Sequence, residues 1–243
     1  MEAWGLTDPG KVRSQNQDFY ELRELDDGSV LAVVCDGMGG ARAGNVASRL
    51  AVEVFYQEIE RVMDPRFSEK ELLRMLKEAT ELANSAVYEQ SLLSDEYVGM
   101  GTTLVAALIR SDKAYVVNVG DSRAYHLNRE EIRMITEDHS VVEMMVKRGE
   151  ITREQAKNHP VKNLITRAVG TEETVESDTF VQKLKPGDSI LLCSDGLSNM
   201  MADQEILFEV VHGASRSSCC KRLLDIAENR GAPDNVTVVI VTV

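Results

Sequence analysis

The sequence predicts an α+β protein: two packed, mostly antiparallel β-sheets with helices on their outer faces. Three observations carry this. Apolar, β-branched runs of strand length recur along the whole chain. A pair of long amphipathic helices interrupts them, and the links between successive strands are too short for parallel crossovers.

Residues 29–35 (SVLAVVC) form a buried strand that halts at Asp36-Gly37. Residues 45–62 and 68–91 are helices, the first with Val46, Leu50, Val54 and Ile59 on its apolar face. The second sets Leu72, Met75, Leu76, Ala79, Leu82 and Val87 on one side. Residues 101–109, 114–119 and 122–127 read as three strands, with Gly120-Asp121 as a hairpin turn between the last two. A polar helical stretch follows at 140–157, then a strand at 189–193 that halts before Asp195-Gly196. Helices are expected at 203–211 and 215–230, and residues 235–243 (NVTVVIVTV) make a final strand. No linker, repeat or low-complexity tract divides the 243 residues, so one catalytic domain spanning 1–243 is expected.

Lys and Arg total 27 against 40 Asp and Glu, a net charge of −13. That balance argues against nucleic acid as a partner and leaves carboxylates for a hard cation. No apolar run approaches the length of a membrane span and no leader pattern opens the chain, so a cytoplasmic protein without membrane insertion is expected. Cys35, Cys193, Cys219 and Cys220 lack metal-site spacing and read as buried thiols.

Four aspartates share an unusual placement. Asp36 and Asp195 each end an apolar run and precede Gly, Asp234 sits just before the last strand, and Asp121 occupies a turn. One Asp-Gly after a strand is ordinarily a turn residue. Four such carboxylates gathered at one end of a sandwich would repel one another unless cations neutralised them. Oxygen ligands select Mg²⁺ or Mn²⁺. If Asp36 bridged two ions and Asp195 and Asp234 completed one of them, three carboxylates would leave one net positive charge. That surplus would draw a phosphate monoester and activate a water for direct attack on phosphorus, with no phosphoenzyme. Arg13, in the loop 7–18, offers the planar fork that suits phosphate.

The stretches TDPGKVRSQNQDF (7–19), VVCDGMGGARAGNVAS (33–48), GTTLVAALI (101–109), YVVNVGDSRAY (115–125), ITEDHSVV (135–142), NLITRAVG (163–170), GDSILLCSDGLSNMM (187–201) and PDNVTVVIV (233–241) resemble, in order, those of the bacterial metal-dependent protein Ser/Thr phosphatases of type 2C. The resemblance implies a four-layer α-β-β-α sandwich and hydrolysis of phosphoserine and phosphothreonine in proteins, in opposition to a bacterial Ser/Thr kinase. Position by position, it implies that Asp36 bridges both metals, Gly37 offers its carbonyl, and Asp195 and Asp234 hold one metal. Asp121 with Asp195 forms a weaker third site, Arg13 grips the substrate phosphate, and Asp18 acts behind the metals through water.

Two positions depart from that pattern. Gln17 stands where many relatives have Glu, and Met38 stands where animal members have His. A histidine general acid is therefore lacking at Met38, which leaves metal-held water or solvent to protonate the departing group. Residues 140–170 resemble a mobile flap, with Gly149 and Gly170 as hinges. Lys147, Arg148, Arg153, Lys157, Lys162 and Arg167 there form a basic group suited to acidic phosphopeptides. His139 and His159 are candidates for flap or site contacts, although a hydrogen-bonded loop role is the more common one. Asn235 is expected to orient Asp234 or to start the strand. A monomer is expected. The alternatives are a partner-binding relative without catalysis, against which the intact Asp36, Asp195 and Asp234 argue, and a two-metal hydrolase of another ester such as a nucleotide.

Overall fold

The structure, a computed structural model, describes residues 1–40, 43–213 and 215–243. Ala41 and Arg42, within the 33–48 motif, lie outside the described residues. One sheet orders its strands β1 (Glu2–Asp8), β11 (Val236–Thr242), β10 (Ser189–Cys193), β7 (Arg123–Leu127), β8 (Ile132–Met134). The other runs β2 (Asp18–Glu24), β3 (Val30–Met38), β5 (Leu104–Arg110), β6 (Lys113–Val119), β9 (Asp178–Lys183), with the short β4 (Gly101–Thr102) paired to the end of β3. Every described pairing is antiparallel.

The central strands read as unbroken apolar runs because both of their faces are buried. In β3 the odd residues Leu31, Val33 and Cys35 pack under the long helices α1 (Ala43–Val62) and α2 (Glu69–Ser91). The even residues Val30, Ala32 and Val34 face the other sheet. In β11, Val236, Val238 and Ile240 pack under α5 (Asp195–Ser198), α6 (Asp203–His212) and α7 (Cys219–Asn229), while Val239 and Val241 face inward. Three apolar layers between four structural layers result, the α-β-β-α sandwich that was expected. Small side chains at Ala32, Ala107, Ala114 and Ala124 line the middle layer and let the sheets approach. All four cysteines are buried free thiols.

Several expectations are corrected. Gly120-Asp121 is not a hairpin turn: β6 and β7 lie in different sheets, and Gly120 at φ +103° turns the chain from one to the other. The true tight hairpin is β5–β6, closed at Arg110↔Lys113 with Ser111 left-handed at φ 55°. Strand β3 runs through Asp36-Gly37 to Met38 because its end finds a new partner in β4. The predicted strand 101–109 is correspondingly broken at Thr103.

The buried face of α1 runs through Ala47, Ala51, Phe55 and Ile59, placing Val46, Leu50 and Val54 at its margin. Leu82 of α2 points outward. That helix starts where predicted, with Ser68 and Glu71 forming a reciprocal capping box. Helix α7 begins at Cys219 rather than 215, because the Ser215 and Ser218 hydroxyls bond each other and nearby backbone in a competing turn. The insert at 140–170 carries α3 (Val141–Lys147) and α4 (Arg153–Lys157), capped by Ser140 and Thr152. No helix among the described residues is long and apolar enough to cross a membrane.

Candidate active site

Antiparallel pairing of β2 and β3 sets Asp18 opposite Asp36. The β3 end is clasped by the break between β4 and β5: the Asp36 amide donates to Thr103 Oγ1 (2.9 Å), and the Asp36 carbonyl accepts from the Thr103 amide (2.9 Å) and Thr102 Oγ1 (2.9 Å). Thr103 Oγ1 also bonds Ser122 Oγ (2.7 Å), the residue after Asp121. One threonine therefore ties two of the expected ligands together. Gly37 follows Asp36 in β3, and any Cβ there would collide with the Gly44 carbonyl at the start of α1.

Asp195 opens α5, with one carboxyl oxygen accepting from Asn199 Nδ2 (3.0 Å). Gly196 behind it has no room for a Cβ against the Asn235 carbonyl. Asp234 accepts from Arg13 Nη2 (2.8 Å) and from the Asn235 amide (2.9 Å). Asp18 is buried and accepts from Ser194 Oγ (2.7 Å) and Thr237 Oγ1 (2.6 Å).

The five carboxyls feel one another's charge. Burial first, then the negative charges of Asp18, Asp195, Asp121 and Asp234, hold Asp36 well above the usual carboxylate range. Burial, partly offset by the two hydroxyls, lifts Asp18 to about 7. Burial and then Asp195 lift Asp121 to about 7. Asp195 is raised by burial and Asp234, against the attraction of Arg123 and Lys162.

The structure thus brings Asp36, Asp195, Asp234, Asp121, Asp18 and Arg13 to one end of the sheets. Among the described residues, however, no three His, Cys, Asp or Glu side chains converge as a ready-made ion cage. The donor set still fits hard divalent cations. It is all oxygen, burial and then neighbouring negative charge raise the pKa of Asp36, Asp18, Asp121 and Asp195, and the buried Asp18 Oδ1 and Asp195 Oδ1 have no hydrogen-bond partner among the described residues.

Asn235, Gln17 and His139 stood out in the sequence, but what they hold did not. Asn235 braces the loop that carries Arg13: its Oδ1 accepts from the Gln17 amide (2.8 Å), and its Nδ2 donates to the Pro9 and Gln15 carbonyls (2.9 Å each). The Gln17 side chain donates to the Gly40 carbonyl (3.2 Å), a bond a carboxylate could not make. Thr103, Ser194 and Thr237 read as ordinary strand residues. His139 is buried and clamps Gly120 twice, its amide donating to the Gly120 carbonyl (3.0 Å) and its Nδ1 accepting from the Gly120 amide (3.1 Å). Nε2 then carries the proton and faces Asp178 (3.2 Å). Among the described residues His159 bonds only within its own loop.

The basic group of the insert is largely neutralised. Lys147 pairs with Glu137, Arg148 with Glu150, Arg153 with Glu143, Lys157 with Glu154, and Arg167 with Glu176 and Asp178. Lys162 alone of the six makes no ion pair among the described residues, and its charge acts on Asp195.

A four-layer sandwich with a cluster of carboxyls and an arginine at its end is the combination expected of hydrolases that act on phosphate esters with divalent cations. A family model described as protein phosphatase 2C matches residues 11–231, and the chain belongs to that family. It is 38% identical over 241 residues to the serine/threonine phosphatase stp of Listeria monocytogenes serotype 4b, covering 99% of this chain and 95% of that protein. To the protein phosphatase PhpP of Streptococcus pneumoniae it is 36% identical over 244 residues, covering 100% and 97%. Among solved structures, the serine/threonine phosphatase Stp1 from Staphylococcus aureus superposes with a TM-score of 0.93 at 35% identity, covering 100% of this chain and 94% of that one. The Mycobacterium tuberculosis phosphatase PstP/Ppp gives 0.88 at 36% identity, covering 98% and 97%.

Proposed function

We propose that this chain is a metal-dependent protein phosphatase that hydrolyses phosphoserine and phosphothreonine, reversing the work of a bacterial Ser/Thr kinase. The observation that carries the reading is the gathering of five mutually repelling carboxyls beside Arg13 in a phosphatase 2C fold. Asp36, the Gly37 carbonyl, Asp195 and Asp234 would hold two Mn²⁺ or Mg²⁺ ions. Asp121 with Asp195 would take a weaker third, and Asp18 would act behind them through water. Bound there, the ions supply Lewis-acid activation of a water and neutralise charge on the phosphoryl group.

Arg13 binds the substrate phosphate. Among the described residues only its Nη2 is engaged, on Asp234, which leaves the rest of the guanidinium fork to take phosphate oxygens. Asn235 and Gly10 keep that loop in place, Gly10 by passing its Cα against the Asp234 carbonyl at φ +73°. Met38 has no proton to give a departing alkoxide. The proposal has residues 1–243 acting as one catalytic domain, with 140–170 as its flap. It also has the chain monomeric and cytoplasmic, and the four buried free thiols support a reducing compartment.

The test is hydrolysis of matched phosphothreonine, phosphotyrosine and nucleotide substrates with Mn²⁺ and with excess chelator. Turnover of the phosphothreonine peptide alone, abolished by chelator and restored by Mn²⁺, is expected. Equal turnover of the nucleotide, or activity that survives exhaustive chelation, would refute the reading.

A further inference from the structure

Away from the carboxyl cluster, a groove of about 590 Å³ lies where the C-terminal end of α2 meets the 3-10 turn Asp95–Tyr97 and Thr171. Leu92, Leu93 and Val98 line it and stand 69%, 74% and 71% exposed. Three aliphatic side chains this open, set within seven residues on a shaped surface, are the mark of a docking site rather than of scattered surface apolarity.

The rim is acidic on every side the sequence supplies. Asp95 lines the groove, and the exposed Glu89, Glu96, Glu172 and Glu173 flank it. The buried Asn84 fixes two of these in place, its Nδ2 donating to the Glu172 and Glu173 carbonyls (3.1 Å each). No Lys or Arg occurs between Lys77 and Arg110, or between Arg167 and Lys183. None of the five carboxylates forms an ion pair among the described residues, whereas the acids of the 140–170 insert, Glu143, Glu150 and Glu154, all do.

The charge selects the occupant. A second copy of this chain brings the same acids and a net −13, and an anionic lipid surface is repelled in the same way. We propose that the groove docks a basic amphipathic helix of a partner protein, aliphatic side chains seated on Leu92, Leu93 and Val98 and Lys or Arg paired with the acidic rim. The docked helix lies against the C-terminal end of the insert, since Asn84 Oδ1 also accepts from the Gly170 amide (2.7 Å).

Fluorescence anisotropy with a labelled synthetic helical peptide, leucines on one face and lysines on the other, tests this without any catalytic readout. The full chain should bind it in a salt-sensitive manner. Leu93→Ser with Val98→Ser, and separately Asp95→Lys with Glu96→Lys, should each weaken binding about tenfold or more. Phe208→Ser, an exposed apolar residue of α6 on the opposite helical layer, should leave it unchanged. All these variants should keep wild-type turnover of p-nitrophenyl phosphate, which reports an intact fold. The proposal is overturned if the peptide does not bind, if a scrambled peptide of the same composition binds as well, or if the groove variants bind no worse than Phe208→Ser.

Discussion

Among the described residues, Arg13 and Asp234 make the one charge-assisted contact that joins the proposed phosphate grip to the proposed metal centre. Truncating the arginine removes a hydrogen-bonding cation from bound phosphate but leaves the carboxyls in place. Arg13→Ala should therefore raise KM for a phosphothreonine peptide about tenfold to a hundredfold, with a smaller change in kcat. Steady-state kinetics at saturating Mn²⁺ check this, and an unchanged KM would move Arg13 off the substrate. At this scale the sequence was most legible where a charge interrupts an apolar run. Asp36 and Asp195 each end such a run, Asp234 stands just before one, and the fold carries all three to one end of the sheets. The groups that hold them were hidden for the opposite reason. Thr103, Ser194 and Thr237 are small hydroxyls that a strand accepts anywhere, and only the tertiary fold turns them toward Asp36 and Asp18.

Elements were legible in proportion to how deeply they are buried. The central strands β3, β5, β6, β10 and β11 announce themselves as apolar runs. The strands missed in the sequence, β1, β2, β8 and β9, are the four edges of the two sheets. An edge strand has one neighbour and keeps polar side chains, so the pattern that marks a strand is diluted there. The Gly120-Asp121 turn was misread because a tight turn joins strands equally well within a sheet and between sheets. The break between β4 and β5 is the element-scale device that serves the site. Thr103→Val keeps the volume but leaves the Asp36 amide without its acceptor, which costs about 1–3 kcal/mol when buried. A fall in Tm of roughly 3–10 °C is expected, together with a loss of Mn²⁺ affinity measured by titration calorimetry. Wild-type metal affinity in this variant would detach Thr103 from the centre.

Over the whole molecule, the repelling carboxyls set how stability varies with pH. Asp18 and Asp121 titrate near 7 in the folded chain, whereas both have ordinary carboxylate values once unfolded. Between about pH 4 and pH 7 the native state keeps protons that the unfolded chain has shed, so stability falls as pH rises through that window. Surface carboxylates held low by arginine, such as Glu205 at about 2, titrate below the window and do not reverse the trend. In excess chelator, Tm should drop from pH 4.5 to pH 7.5, and Mn²⁺ should restore it most at the higher pH. Calorimetric scans across that range check the sign, and a flat or rising Tm in chelator would show that the carboxyls do not burden the native state.

Strand β11 enters its sheet between β1 and β10, pairing Glu2 with Thr242 and Asp8 with Val236. An inner strand is thus flanked by one that lies more than two hundred positions earlier in the chain. A ribosome has long since released Arg13 and Asp36 when it reaches Asp234, so β1 and β10 wait for β11 to emerge before their sheet can close. Closure then joins residues more than two hundred positions apart, a slow event for a β-rich topology. A truncation that removes β11 therefore takes out the inner strand of this sheet instead of trimming an edge.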